Sequence, residues 1–287
     1  MIKNLQLFNP TVSVVITAYH HYERLERCLY ALSQQYVSPR EVMVVDDGGN
    51  LEACKRALSK YPHYGLIAKP RTIFEGKPIN GMPMAVNIGV EHVTGDIVLV
   101  IQRDHVLSAD YIARLAAYYE VGSVFFGLTQ RIPQVPSHHW IDQQKALLYI
   151  PDAEERFRLL AGSNRFNAEF TRWSIVDGMD FAVEREKWLP FDENPVLLYH
   201  CQPDWALRMQ LTGMRLLVNP LLRLWHTGID PTPTAEINAA VARGTVAMGD
   251  KWQDQAIWHT FPLRFVDIGQ LDKTATSLER VVEGVVL

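Results

Sequence analysis

Three acids in this chain stand where a carboxylate could do chemistry. Val45-Asp46-Asp47-Gly48-Gly49 directly follows an apolar run. A carboxylate at a strand end can accept hydrogen bonds from a ribose or a uracil-like base, and the glycines let the backbone pass close to a ligand. The same residues suit an ordinary strand-to-helix turn, so Asp46 and Asp47 alone leave both readings open. Gly81 through Asp104 carries Asn87 on a helical stretch, passes Gly95 and ends a second apolar run on Gln102-Arg103-Asp104. An acid there could hold a divalent cation against a diphosphate. His105 follows and could add a nitrogen ligand that would suit a transition metal such as manganese, although a solvated loop histidine is the simpler reading. Thr17-Ala18-Tyr19 closes the first apolar run and could offer Tyr19 to a base. The adjacent pairs His20-His21 and His138-His139 make poor metal sites, because neighbouring side chains diverge.

These residues need elements to position them, and the first half alternates cleanly. Val12–Ile16, Glu41–Val45, Tyr64–Ala68, Asp96–Ile101 and Ser123–Gly127 read as strands. Glu23–Gln34, Leu51–Lys60, Met82–Val93 and Ala109–Tyr119 read as helices, the last with Ser108 as N-cap. Alternation at these lengths predicts an α/β fold, a doubly wound and mostly parallel sheet flanked by helices. Ligands of such sheets bind at the carboxyl ends of the strands, where each of these clusters falls. Further on, helices are expected around Trp140–Tyr149, Asp152–Leu160 and Pro203–Leu211. Strands are expected at Arg215–Val218 and Leu221–Trp225, and a long helix over Thr234–Gln255.

Together the segments resemble family 2 glycosyltransferases of the GT-A fold. The resemblance runs through Thr17-Ala18-Tyr19, Val45-Asp46-Asp47-Gly48, Ala85-Val86-Asn87-Ile88-Gly89, Thr94-Gly95-Asp96 and Gln102-Arg103-Asp104, in order and at family-like spacing. It implies transfer of a sugar from a UDP- or GDP-linked donor to an acceptor hydroxyl, with inversion and with a divalent metal, Mn or Mg. It implies donor contacts from Thr17, Tyr19, Asp46, Asp47, Asn87, Gln102 and Arg103, and metal ligation by Asp104. Leu224-Trp225-His226 resembles the family's late strand end, where a His completes the metal site or touches the diphosphate; His226 is the expected second metal ligand. Gly178-Met179-Asp180 resembles the turn lining the sugar and acceptor pocket. Pro203-Asp204-Trp205-Ala206-Leu207-Arg208 resembles the helix that carries the catalytic base, here Asp204. Two positions depart from the pattern: Val86 stands where the family has Arg, and Gln102 where the first acid of Asp-x-Asp is expected.

The 287 residues suit one large domain, divided as a nucleotide-sugar half (1–127), an acceptor and catalytic half (128–230) and a helical C-terminal extension (231–287). Net charge of −4 gives no global footprint for nucleic acid or anionic membrane. A saccharide is therefore the first acceptor class, and modified nucleic acid bases are the alternative. Three cysteines without a Cys-x-x-Cys pair fit reduced thiols. Asn9-Pro10-Thr11 interrupts any signal-like apolar region, and no run is long enough to span a membrane, so a soluble cytoplasmic protein is expected. A nucleotidyltransferase would carry a glycine-rich loop with Arg and Lys where Thr17–His21 stands. A non-catalytic nucleotide-sugar-binding module is the other alternative, favoured by Val86 and Gln102.

Overall fold

A computed structural model describes residues 10–79, 81–132, 136–147, 180–227, 235–255 and 263–265. The β-branched run after Pro10 forms strand β1 (Val12–Ala18), which is buried along its whole length. It pairs in parallel with β2 (Glu41–Asp47) on one side and with β6 (Ile97–Gln102) on the other. Beyond β2 lies β3 (Gly65–Lys69), also parallel. A short antiparallel hairpin, β4 (Ile73–Phe74) and β5 (Lys77–Pro78), interrupts the path to the next helix. On the far side of β6 the order runs β9 (Phe181–Glu184), β8 (Ser123–Ile132), β10 (Arg215–Thr227) and β11 (Leu263–Phe265). The strand β9 is antiparallel to both neighbours, while β8, β10 and β11 return to parallel pairing. The expected doubly wound, mostly parallel sheet is what the chain forms.

Helices cover both faces of the sheet. These are α1 (Tyr22–Ser33), α2 (Leu51–Leu58), α3 (Met82–Glu91), α4 (Tyr111–Tyr118), α5 (His138–Leu147), α6 (Cys201–Leu211) and α7 (Ala235–Trp252). The pleat sends alternate residues of each strand to opposite faces. Val14 and Ile16 join Leu25, Leu29 and Leu115 in one core. Val15 joins Val86, Val90, Phe181, Trp205 and Trp252 in the other. Trp252 extends that core onto α7, so this helix is packed into the domain through it.

Several details differ from the periodicity. Ser108 does not cap α4: Asp110 holds the N-cap position, and the Ser108 hydroxyl donates to its carboxylate at 2.8 Å. Arg215–Val218 and Leu221–Trp225 belong to one strand whose register shifts between Val218 and Arg223, around Asn219-Pro220, because Pro cannot continue the ladder. The helix expected at Trp140–Tyr149 begins two residues earlier, at His138. The expected Asp152–Leu160 helix lies outside the described residues. The three-residue strand β7 (His105–Leu107), too short to show a period, pairs antiparallel with β10. No helix among the described residues is long and apolar enough to cross a membrane. Cys28, Cys54 and Cys201 are all buried.

Candidate active site

The carboxyl ends of β1, β2 and β6 meet at one level, with Thr17 opposite Gln102 and Ala18 opposite Asp46. Tyr19 leaves β1 and is followed by His20 and His21, both at positive φ (56° and 49°), a conformation uncommon for residues with side chains. The Arg71 guanidinium lies 3.6 Å from the centre of the Tyr19 ring. Asp46 closes the β2 turn: the Tyr22 hydroxyl donates to Oδ1 at 2.6 Å and Gly49 N to Oδ2 at 3.2 Å. Asp47 binds Lys69 Nζ, Arg71 at 2.7 Å and Gly81 N at 2.8 Å. Gly48 is required here, since its φ is +70° and a Cβ would lie 2.3 Å from Arg71 N. The β3–α3 segment is thereby pressed onto the Asp46–Gly49 turn, and two cations arrive at the strand ends that periodicity gave no reason to choose.

The second cluster forms where β6 turns into β7. Arg103 N donates to Thr17 O at 3.1 Å and Thr227 N to Asp104 O at 2.8 Å, which ties this turn to β1 and β10. The antiparallel register of β7 sets His105 directly across from His226. Asp104, His105 and His226 offer ligand atoms all within 4.8 Å of one another. His226 Nε2 lies 3.3 Å from Asp104 Oδ2. Burial pushes the Asp104 carboxyl upward, but the His226 hydrogen bond and the neighbouring positive charge of Arg103 outweigh it and hold the group well below the usual carboxylate range. Burial pushes His105 down to about 3, so its ring is neutral at physiological pH.

This donor set fits a divalent cation. Asp104 Oδ1 is buried without a hydrogen-bond partner, and a carboxylate oxygen beside imidazole nitrogen can ligate a divalent metal. The two histidines are not equivalent. Gln102 N donates to His105 Nδ1 at 3.2 Å, which leaves the ring proton on Nε2. His105 must therefore surrender that bond to act as a ligand. The Gln102 side chain lies at the end of β6 beside this turn, partly exposed.

The remaining expected residues lie elsewhere on the same fold. Asn87 is nearly buried in α3. Its amide donates to Phe191 O at 3.1 Å and Glu193 Oε1 at 2.9 Å, and accepts from Phe191 N at 2.7 Å. Every polar atom of that side chain is thus spent holding the Phe191–Glu193 segment. Val86 is fully buried in the core, so it brings no charge to the strand ends. Asp180 is buried at the head of β9 and accepts from Gly127 N at 2.9 Å. Gly178 and Met179 lie outside the described residues. Asp204, in the first turn of α6, is 0% exposed. Arg208 Nε donates to its Oδ2 at 3.0 Å, while Trp252 Nε1 and Lys251 Nζ reach Oδ1 at 2.9 and 2.8 Å.

The sequence profile of Glycosyl transferase family 2 matches residues 13–181, more than half of the chain. The chain belongs to glycosyl transferase family 2. It is 30% identical over 138 residues to an N-acetylglucosaminyltransferase of Mesorhizobium japonicum, covering 46% of this chain and 31% of that protein. It is 31% identical over 110 residues to an N-acetylglucosaminyltransferase of Sinorhizobium fredii, covering 37% of this chain and 26% of that one. The matches therefore span under a third of the length of these curated relatives. Among solved structures, glucosyl-3-phosphoglycerate synthase from Mycobacterium tuberculosis, in complex with phosphoglyceric acid, superposes with a TM-score of 0.53 at 15% identity. That superposition covers 84% of this chain and 80% of the synthase, and it shows the shared GT-A fold.

Proposed function

We propose that this glycosyltransferase moves a sugar from a nucleotide-diphosphate donor, UDP- or GDP-linked, to an acceptor hydroxyl by a single inverting displacement assisted by a divalent metal. The observation that carries this reading is the convergence of Asp104 and His226, with His105, beside the Thr17–Tyr19 and Asp46–Asp47 strand ends. Asp46 and Tyr19 bind the nucleoside. Thr17, Asp47, Asn87, Gln102 and Arg103 shape the donor side. The donor is assigned to residues 1–127 and the acceptor to 128–230, with substrate recognition assigned to Gly178, Met179 and Asp180. Asp104 and His226 hold the metal, which supplies electrostatic stabilisation for the charge on the departing nucleotide. The names of the two curated relatives make N-acetylglucosamine the first sugar to test.

Asp204 is the proposed base for the acceptor hydroxyl, at the start of α6. For Asp204 to take a proton, Lys251 and Trp252 must release Oδ1. That saturated carboxylate is the specific observation favouring a second reading, a nucleotide-sugar-binding module without turnover.

One experiment tests both. The protein is incubated with UDP- and GDP-sugars and Mn2+, with and without saccharide acceptors, and released nucleotide is measured alongside nucleotide binding. Turnover by the wild type, lost in Asp204→Asn with nucleotide binding retained, is the expected result. Binding without turnover in both proteins supports the module. Absence of any nucleotide response sinks the donor reading.

A further inference from the structure

Arg24 has no part in the chemistry above, yet its setting demands one. It sits in the first turn of α1, and its side chain is 10% exposed. Among the described residues its polar partner is Asp104 Oδ2, 3.5 Å from NH1, the outer limit of a hydrogen bond. Its Nε is buried with no partner. Arg103 repeats the pattern from the other side, with NH2 3.9 Å from the same oxygen and an unpartnered buried Nε. Removing a guanidinium from water costs far more than one long contact returns. Arg71 also keeps a buried Nε without a partner, but its NH1 holds Asp47 at 2.7 Å, against 3.5 Å for Arg24 and Asp104.

Several of the buried polar atoms without a partner fall around one turn. Arg24 Nε, Arg103 Nε, Asp104 Oδ1, His105 Nε2 and Thr227 Oγ1 all lack partners around the β6–β7 turn. Two guanidinium groups face one carboxylate there. A cluster with excess positive charge, on a chain whose net charge is −4, is complementary to an anion with several acceptor oxygens.

We infer that Arg24, together with Arg103, binds the diphosphate of the donor nucleotide, an inference that rests on the donor reading above. The guanidinium on α1 supplies directional donors that a metal held by Asp104 and His226 does not. It also explains how a site with a single strand-end acid at this turn can balance the charge of a pyrophosphate: fixed cations carry part of it.

The test uses the full chain, titrated with UDP, UMP, GDP and GMP by calorimetry in saturating Mn2+, as wild type, Arg24→Met and Arg24→Lys. Loss of charge-assisted contacts to the second phosphate weakens the nucleoside diphosphate by about tenfold or more in Arg24→Met. The matching monophosphate is expected to change less than twofold. Arg24→Lys, which keeps the charge without the planar fork, falls between, and it carries the comparison if Arg24→Met fails to fold. Mn2+ affinity, read separately by electron paramagnetic resonance, is not reduced. Equal weakening of mono- and diphosphates, no weakening, or a matching loss of Mn2+ affinity overturns the clamp. A wild type that binds none of the four nucleotides removes the donor reading, and this inference with it.

Discussion

Asp104 is asked to satisfy more neighbours than one carboxylate can. Arg24, Arg103 and His226 all approach Oδ2, and Oδ1 has no partner. A cation taking Oδ1 and His226 Nε2 would use atoms that are free or weakly engaged, whereas His105 already accepts a backbone hydrogen bond. This difference sets an order among the ligands. Asp104→Asn and His226→Ala are expected to weaken Mn2+ binding by about tenfold or more, or roughly 1.4 kcal/mol. His105→Ala is expected to cost clearly less. Electron paramagnetic resonance of free Mn2+ reads all three, and a His105→Ala loss as large as that of His226→Ala would show that the Gln102 contact does not protect the ring. Asp104 and the Gln102 departure were legible in the sequence because they end an apolar run. Arg24 was not legible, because it stands at a helical position that would normally face solvent.

At the scale of elements, α7 is held against α6 by charge as well as by apolar contact. Lys251 bridges Asp192 at 2.9 Å and Asp204 at 2.8 Å, with Arg208 on the other Asp204 oxygen, and Trp252 fills the core beneath. Burial raises the Asp192 carboxyl, but the Lys251 hydrogen bond outweighs it and holds the group below its ordinary value. An acid lowered in the folded state contributes stability above its unfolded pKa, about 3.9, and that contribution is lost as pH falls through the folded value. Lys251→Met is therefore expected to be less stable than the wild type by about 1–2 kcal/mol at pH 7, after allowing for partial exposure of the pair. The gap should narrow below about pH 4. Urea unfolding at several pH values checks this, and a gap constant from pH 7 to pH 3 would rule out the charge contribution. The helix itself was readable over Thr234–Gln255. Its attachment to Asp204 was not, because nothing local in α7 signals a partner on α6.

Across the whole molecule, Asn87 joins α3 to the Phe191–Glu193 segment that leads into α6. Three hydrogen bonds from one buried amide replace the contacts a peptide group would make. Asn87→Ala is expected to lose about 2–3 kcal/mol, since Phe191 N and O are left without this partner. The midpoint of urea unfolding reads the change at constant m-value, and a shift worth under about 0.5 kcal/mol would show that water or backbone rearrangement replaces the side chain. The same residue lies within the Ala85–Gly89 segment, and its side chain connects α3 to the stretch of chain leading to Asp204.

The sequence by itself determined the doubly wound sheet, the strand-end position of Asp46 and Asp104, and membership of the glycosyltransferase fold. Buried parallel strands require continuous β-branched runs, and those runs end visibly. Tertiary structure alone decided that β7 and β10 set His105 across from His226, that Gly48 admits Arg71 onto the turn, and that Arg24 reaches Asp104. Cross-strand register, close backbone approach and the direction of a buried charged side chain depend on partners distant in the chain. Local periodicity carries no record of those partners.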